Sequence, residues 1–279
     1  MVTRSFFHLH LVSDSTGETL IMAGRAVAAQ YPAVSALEHI YPLVRSERDL
    51  DRTIAEIEAN PGVVLYTLVE PQLAERLERS CREMGAPVLS VLQPIFDLFK
   101  SYLGTEVMVK PGAQHVLNAD YFRRIDALNY TMMHDDGLMP TDYDEADVLL
   151  LGVSRTSKTP TSIYLAHRGV KTANIPLVPG VPLPPEVEHL KNPLIVGLFA
   201  SPERIVQIRE NRVLTLSPHH EVDTYTDRMS VAEEIAQSRR LFSQRGWPMI
   251  DVTRRSIEET AAAIQGLLRA HRRARIVET

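Results

Sequence analysis

The stretch Asp147-Val148-Leu149-Leu150-Leu151-Gly152-Val153-Ser154-Arg155-Thr156-Ser157-Lys158-Thr159 sets an apolar run directly before a glycine, a short polar turn and a lysine–threonine pair. The run from Val148 to Leu151 is far below the roughly 20 residues a membrane span needs and reads as a buried β-strand. A helical pattern follows from Thr159 to about His167. Strand, turn and helix in that order are the context of a phosphate-binding loop, and Gly152-x4-Ser157-Lys158-Thr159 departs from Gly-x4-Gly-Lys-[Ser/Thr] at one residue. Backbone N–H groups of such a turn, and of the helix N-terminus behind it, converge on bound phosphate. Lys158 would add a mobile positive charge, and Thr159 a hydroxyl for a bound Mg²⁺. Ser157 in place of glycine implies a somewhat different closure of the loop.

The same rhythm extends in both directions. Upstream, strands are expected at Phe6–Val12, Ala36–Leu43, Val63–Val69 and Pro87–Leu92. Helices are expected after Glu18, over Glu47–Asn60, from Pro71 to Met84 and up to about Tyr102. Ser15 and Glu18 have capping-box spacing, and Leu20, Ala23, Val27 and Tyr31 share one helical face. Residues 104–143 break the pattern with glycines and prolines around one helix, His115–His134, expected to turn Val116, Phe122, Ile125 and Leu128 inward. Downstream, strands are expected at Asp147–Val153, Ala173–Val178, Leu194–Phe199 and Pro248–Val252. Helices should follow Ser201-Pro202, span Ser230–Gln244 with a Ser230/Glu233 box, and follow Ser256/Glu259. Strands alternating with helices imply parallel β-α units. The expected fold is therefore α/β, with two domains of mainly parallel sheet: residues 1–103, a connector at 104–143, and residues 144–279 carrying the P-loop-like turn.

Composition narrows the function classes. The 279 residues are 44% hydrophobic and 23% charged, as in globular proteins, and suggest about two domains. A net charge of -5 argues against a general nucleic-acid binder. Cys81 is the single cysteine and fits a structural position in a reducing compartment. With no secretion-type leader and no apolar span, a soluble, cytoplasmic chain is expected. Only five of the 30 basic residues are lysines, so Lys158 inside a motif stands out.

Other features carry weaker chemistry. The turn Ser13-Asp14-Ser15-Thr16-Gly17-Glu18-Thr19 follows the first strand, where α/β ligand sites lie, and offers Asp14 as an acid or base; helix capping explains the same residues. His134-Asp135-Asp136-Gly137 could hold Mg²⁺ or orient a hydroxyl, or be a solvated loop. His8 and His10 alternate on a strand, with no further ligands at metal spacing. His219-His220 is a loop pair. Arg204, Arg209 and Arg212 could meet phosphate but read more simply as a mixed-charge helix face; Arg269, Arg272, Arg273 and Arg275 could serve a protein partner but read more simply as a solvated one.

Residues 152–166, Gly-Val-Ser-Arg-Thr-Ser-Lys-Thr-Pro-Thr-Ser-Ile-Tyr-Leu-Ala, are more particular than a generic phosphate loop. With Ser13–Thr19, His134–Gly137, Lys171-Thr172-Ala173-Asn174-Ile175-Pro176 and the run Ile250–Thr260, the chain resembles the regulatory-protein family of pyruvate, phosphate dikinase and phosphoenolpyruvate synthase. Thr156-Ser157 looks more like the dikinase branch. The resemblance implies a bifunctional enzyme acting on a threonine beside the target's catalytic histidine. It implies phosphate transfer from ADP to that threonine, and the reverse removal by inorganic phosphate with release of pyrophosphate. Gly152, Val153, Ser154, Arg155, Thr156, Ser157, Lys158 and Thr159 would then hold ADP or phosphate, with Mg²⁺ at Thr159. Lys158 would act in catalysis, with Asp14, then Asp135, as acid or base. A homodimer is reasonable for the family. A P-loop kinase of small molecules and a nucleotide-sensing module remain the alternatives.

Overall fold

The computed structural model describes residues 5–106, 110–112, 119–137, 142–216 and 226–278. The chain divides into two compact units, residues 1–116 and 117–279. Each holds one four-stranded, all-parallel sheet.

In the first unit β1 (Ser5–Val12) is central. It pairs with β2 (Val34–Tyr41) on one side and β3 (Val63–Tyr66) on the other, and β4 (Val88–Ser90) lies outside β3. The helices are α1 (Glu18–Ala28), α2 (Glu47–Ala59), α3 (Pro71–Glu83) and α4 (Gln93–Leu103). Alternate β1 residues enter opposite layers. Leu9 and Leu11 pack with Leu20 of α1, whereas Val12 joins Leu50, Ile57 and Leu77 of α2 and α3. The face of β1 opposite Leu9 and Leu11 buries an apolar side chain only at Val12, because His8 and His10 share it and find polar partners in His39, Tyr41 and Asn60. Cys81 is buried there, and burial pushes its thiol up to about 11, as suits a structural rather than reactive cysteine.

The second unit repeats the order. β5 (Val148–Gly152) lies between β6 (Thr172–Pro176) and β7 (Leu194–Phe199), with β8 (Met249–Asp251) outside β7. Its described helices are α5 (Ala119–Met133), α6 (Lys158–Ala166), α7 (Pro202–Leu216), α8 (Arg228–Arg245) and α9 (Ile257–Glu278). Every β5 residue is buried. Val148 and Leu150 face one layer, with Ile205, Ile235 and Ile264; Leu149 and Leu151 face the other, with Tyr130 and Phe242. Gly197 lets Phe242 seat against β7, since a Cβ there would lie 2.4 Å from the ring.

Several local expectations change. Helix α1 begins at Glu18 behind a left-handed Gly17 with no side-chain cap, so Ser15 and Glu18 form no capping box. Its inward face is Leu20 and Gly24, because Gly24 meets Leu9 and Leu11; Val27 and Tyr31 are exposed. Strand β2 stops at Tyr41, before Pro42 and a left-handed Leu43. In α5 the buried residues are Ala127, Tyr130 and Thr131, whereas Phe122 and Ile125 are exposed; Val116 and the start expected at His115 lie outside the described residues. Helix α8 starts earlier than Ser230, capped by Asp227, whose carboxylate accepts from the Ser230 N–H at 2.7 Å. The Ser256/Glu259 box forms in both directions. Of the C-terminal arginines, Arg272 pairs with Asp147 and Arg275 bonds Asn192, so this face ties α9 to the unit.

Candidate functional site

The sheet order puts ligand-binding crevices outside the carboxyl ends of the strands, where successive connections leave in opposite directions. In the second unit that place is the turn after β5. Gly152 is required there by contact: a Cβ would lie 2.5 Å from the Leu198 carbonyl oxygen and 2.7 Å from Thr156 Oγ1. The space lets the Thr156 hydroxyl fold back and donate to Val153 O at 2.9 Å. Arg155 and Ser157 are both left-handed, at φ +78° and +59°. Ser157 therefore takes the conformation for which phosphate loops use glycine, at a strain of about 1 kcal/mol. No side chain caps α6 at Ser157, which leaves the first N–H groups of the helix directed at the crevice.

Lys158 is the first residue of α6 and only 5% exposed. Its Nζ donates to Val153 O at 3.1 Å, so the ammonium folds back over the turn. Burial pulls it down to about 8, with Arg155 and Arg209 acting in the same direction and Asp136 and Asp135 opposing. Thr159 follows, and its hydroxyl donates to Asp135 Oδ1 at 2.9 Å.

Asp135 reaches Thr159 because of Asn174, a wholly buried residue of β6. The Asn174 side-chain amide donates to Asp135 Oδ1 and accepts from the Asp136 N–H at 3.1 Å, and its backbone N–H donates to His134 O. His134 in turn stacks on Tyr130, with ring centroids 3.9 Å apart. The segment after α5 is thus held against β6, with one carboxylate on the loop threonine and the next exposed beside it.

The sequence reading gave one residue of this arrangement no role and ranked another low. Asn174 lies inside a family-like stretch but had no role. Arg209, read as part of a mixed-charge helix face, is 1% exposed. It pairs with Glu234 at 2.7 Å, and its guanidinium lies 3.5 Å from Ser154 O, bracing the turn from behind. The signal was its position four residues after buried Ile205, on the same helical stripe. Arg204 is on the exposed side; the Arg212 side chain and His219-His220 lie outside the described residues. Lys171, the residue before β6, pairs with Asp126 of α5 at 2.9 Å.

Asp14 belongs to the other unit. The turn 13–17 follows β1 as 153–157 follows β5, and it too closes on a left-handed residue, Gly17 at φ +81°. Asp14 is buried, and its Oδ2 accepts from the Val69 N–H at 2.8 Å. Burial raises its proton affinity; that hydrogen bond and Arg45 lower it. Ser13 Oγ accepts from the Ser15 N–H and the Thr67 hydroxyl, tying the turn to the end of β3. The structure therefore brings Lys158, Thr159 and Asp135 together in one unit and places Asp14 at the equivalent turn of the other. Also in the first unit, His8 and His39 share a hydrogen bond of 2.8 Å, and His10 stacks on His39 while bonding Tyr41 and Asn60. Among the described residues no helix is long and apolar enough to cross a membrane.

The kinase/pyrophosphorylase family profile matches residues 9–265. A pyruvate, phosphate dikinase regulatory protein of Afipia carboxidovorans, so named, is 60% identical over 269 residues, covering 95% of either chain. Proteins of the same name from Nitrobacter hamburgensis and Bradyrhizobium diazoefficiens are each 60% identical, over 98% and 95% of both chains. With a family profile spanning both sheets and relatives aligned along nearly their whole length, the chain belongs to the kinase/pyrophosphorylase family.

Proposed function

We propose that this chain transfers phosphate from ADP to a threonine of pyruvate, phosphate dikinase, inactivating it, and that inorganic phosphate reverses the reaction. The relatives' name supports the target. The observation that carries the chemistry is the approach of Thr159, beside buried Lys158, to Asp135 at the uncapped start of α6.

In the forward reaction the threonine oxygen bonds to the β-phosphorus of ADP. The bond from that phosphorus to the bridging oxygen breaks, and AMP leaves. The turn 152–157 and the α6 N–H groups orient the phosphates, while Lys158 offsets charge that spreads over the transferred group. To do so Lys158 leaves Val153 O. The hard oxygen donors of Thr159 and Asp135 fit Mg²⁺, which takes one or two carboxylate or hydroxyl ligands and completes its shell with phosphate and water. Bound there, Mg²⁺ would neutralise phosphate charge. Asp136, exposed beside them, takes the proton of the attacking hydroxyl. In reverse, a phosphate oxygen attacks the phosphothreonine phosphorus, pyrophosphate leaves, and the threonine oxygen regains its proton.

The test incubates the protein with the dikinase and β-labelled ADP, then adds unlabelled phosphate. Label on a dikinase threonine, released afterwards as pyrophosphate, is the expected result. Label passing to phosphoenolpyruvate synthase alone would reassign the target. Turnover of a metabolite with neither protein labelled refutes the reading.

A further inference from the structure

The crevice of the first unit occupies the place that the phosphate-loop-like turn occupies in the second. Both turns follow the central strand of a sheet of the same order, both span five residues, and both end on a left-handed residue. Their chemistry is inverted, for Glu18 stands where Lys158 stands. The crevice is a cavity of about 790 Å³. Asp14, Glu18, Glu75 and Glu78 line it, against Lys110 as the one cation among its described lining residues. A polyphosphate does not suit that wall.

Asp14 says what does. It is 5% exposed, with one oxygen on the Val69 N–H, and among the described residues no other residue's donor meets Oδ1. A carboxylate oxygen so buried and fronting a cavity is best satisfied by an N–H donor that enters from outside, a cationic one most of all. Arg45 supplies charge nearby but not this hydrogen bond, since its Nε donates to the Asp14 backbone carbonyl at 2.7 Å.

The cavity is also continuous with an apolar strip. Leu92, Ile95 and Phe96 line it, and α4 runs on through Leu98, Phe99 and Tyr102, which are 65%, 57% and 87% exposed. No described residue of α4 is buried. Ile95, Leu98 or Phe99, and Tyr102 recur at helical spacing and share one face. A small cation would fill the cavity and leave this strip in water, whereas a polypeptide covers both.

We propose that the Asp14 crevice and the α4 strip form one groove that docks a segment of the protein substrate. A lysine or arginine side chain of that segment enters toward Asp14, and its neighbouring apolar side chains lie along α4. This rests on the protein-kinase reading above and adds where, and by what chemistry, the acceptor protein is held.

The experiment uses the full chain and purified dikinase, titrated by fluorescence anisotropy at low and high salt, with ADP affinity measured in parallel. Glu18→Lys/Glu75→Lys reverses two exposed charges. It should weaken dikinase binding about tenfold at low salt and flatten its salt dependence. Phe99→Glu should weaken it about fivefold or more. ADP affinity should stay within about twofold of the unaltered chain for both variants, and circular dichroism should be unchanged. Dikinase affinity unchanged in both variants overturns the proposal, as does an unaltered chain that does not bind the dikinase. A parallel loss of ADP affinity, or loss only of self-association, overturns it too. The functional reading fails by a different sign, the absence of label transfer by the unaltered chain, and the titration still decides the docking.

Discussion

Lys158→Met exchanges a buried ammonium for an apolar chain of similar length. Holding Lys158 at about 8 instead of 10.5 costs its charged form about 3 kcal/mol in the folded protein. The hydrogen bond to Val153 O returns about 1 kcal/mol. Methionine at this position should therefore stabilise the second unit by about 2 kcal/mol, raising its melting temperature by about 5 °C, while phosphate transfer is lost. The pH dependence gives an internal control. The unfolded chain keeps the lysine proton to about 10.5 and the folded chain only to about 8. Between those values the unfolded state binds more protons, so stability rises with pH. Urea unfolding at pH 7.5 and 9.5 should show the gap between variant and unaltered chain narrowing at the higher pH. A variant less stable than the parent by more than about 1 kcal/mol, a gap independent of pH, or retained transfer would refute the reasoning.

Two further outcomes are expected. Ser157→Gly should relieve the left-handed strain and leave stability equal or raised by about 0.5 kcal/mol with transfer retained, whereas Ser157→Val should cost about 1–2 kcal/mol; thermal unfolding and the labelling assay check both, and a clear loss on Ser157→Gly contradicts the strain. The first unit should lose stability in acid, because burial and the neighbouring His39 and His8 disfavour the charged form of His10. The unfolded chain takes up that proton below about 6.5, so stability present above this pH falls away beneath it. Far-UV circular dichroism should show an early transition moving down between pH 7.5 and 5.5, while fluorescence of Trp247, in the second unit, does not follow it; a common shift of both signals counts against the assignment.

The layers of this fold were legible because its strands are short apolar runs between helices with clear starts. Leu194–Phe199 was placed to the residue, and Pro71 opened α3 as expected of a proline at a helix start. What failed was the inner face of helices whose partner sits unusually close. In α1 Gly24, not Val27, faces the sheet, since only a residue without a side chain fits against Leu9 and Leu11. The Ser15–Glu18 spacing imitated a capping box, but the turn spends Ser13 on its own backbone and ends at Gly17. The position of Lys158 and Thr159 at the start of a helix behind the β5 turn was readable from spacing, because the segment is contiguous. Asn174 and Arg209 were not, because each meets the site across a strand pairing or a helix contact separated by tens of residues in sequence.

Among the described residues neither sheet borrows a strand from the other half of the chain: the first uses residues 5–90, the second residues 148–251. This bears on how the protein is made. When residue 116 has cleared the ribosome, every strand pairing of the first unit is already available. The remaining stretch of about 160 residues takes on the order of 10 s to synthesise, against roughly milliseconds to seconds for an α/β domain to fold. The Asp14 crevice can thus be complete before the turn after β5 exists, and a lesion in the second sheet would leave a folded first unit rather than an unfolded chain.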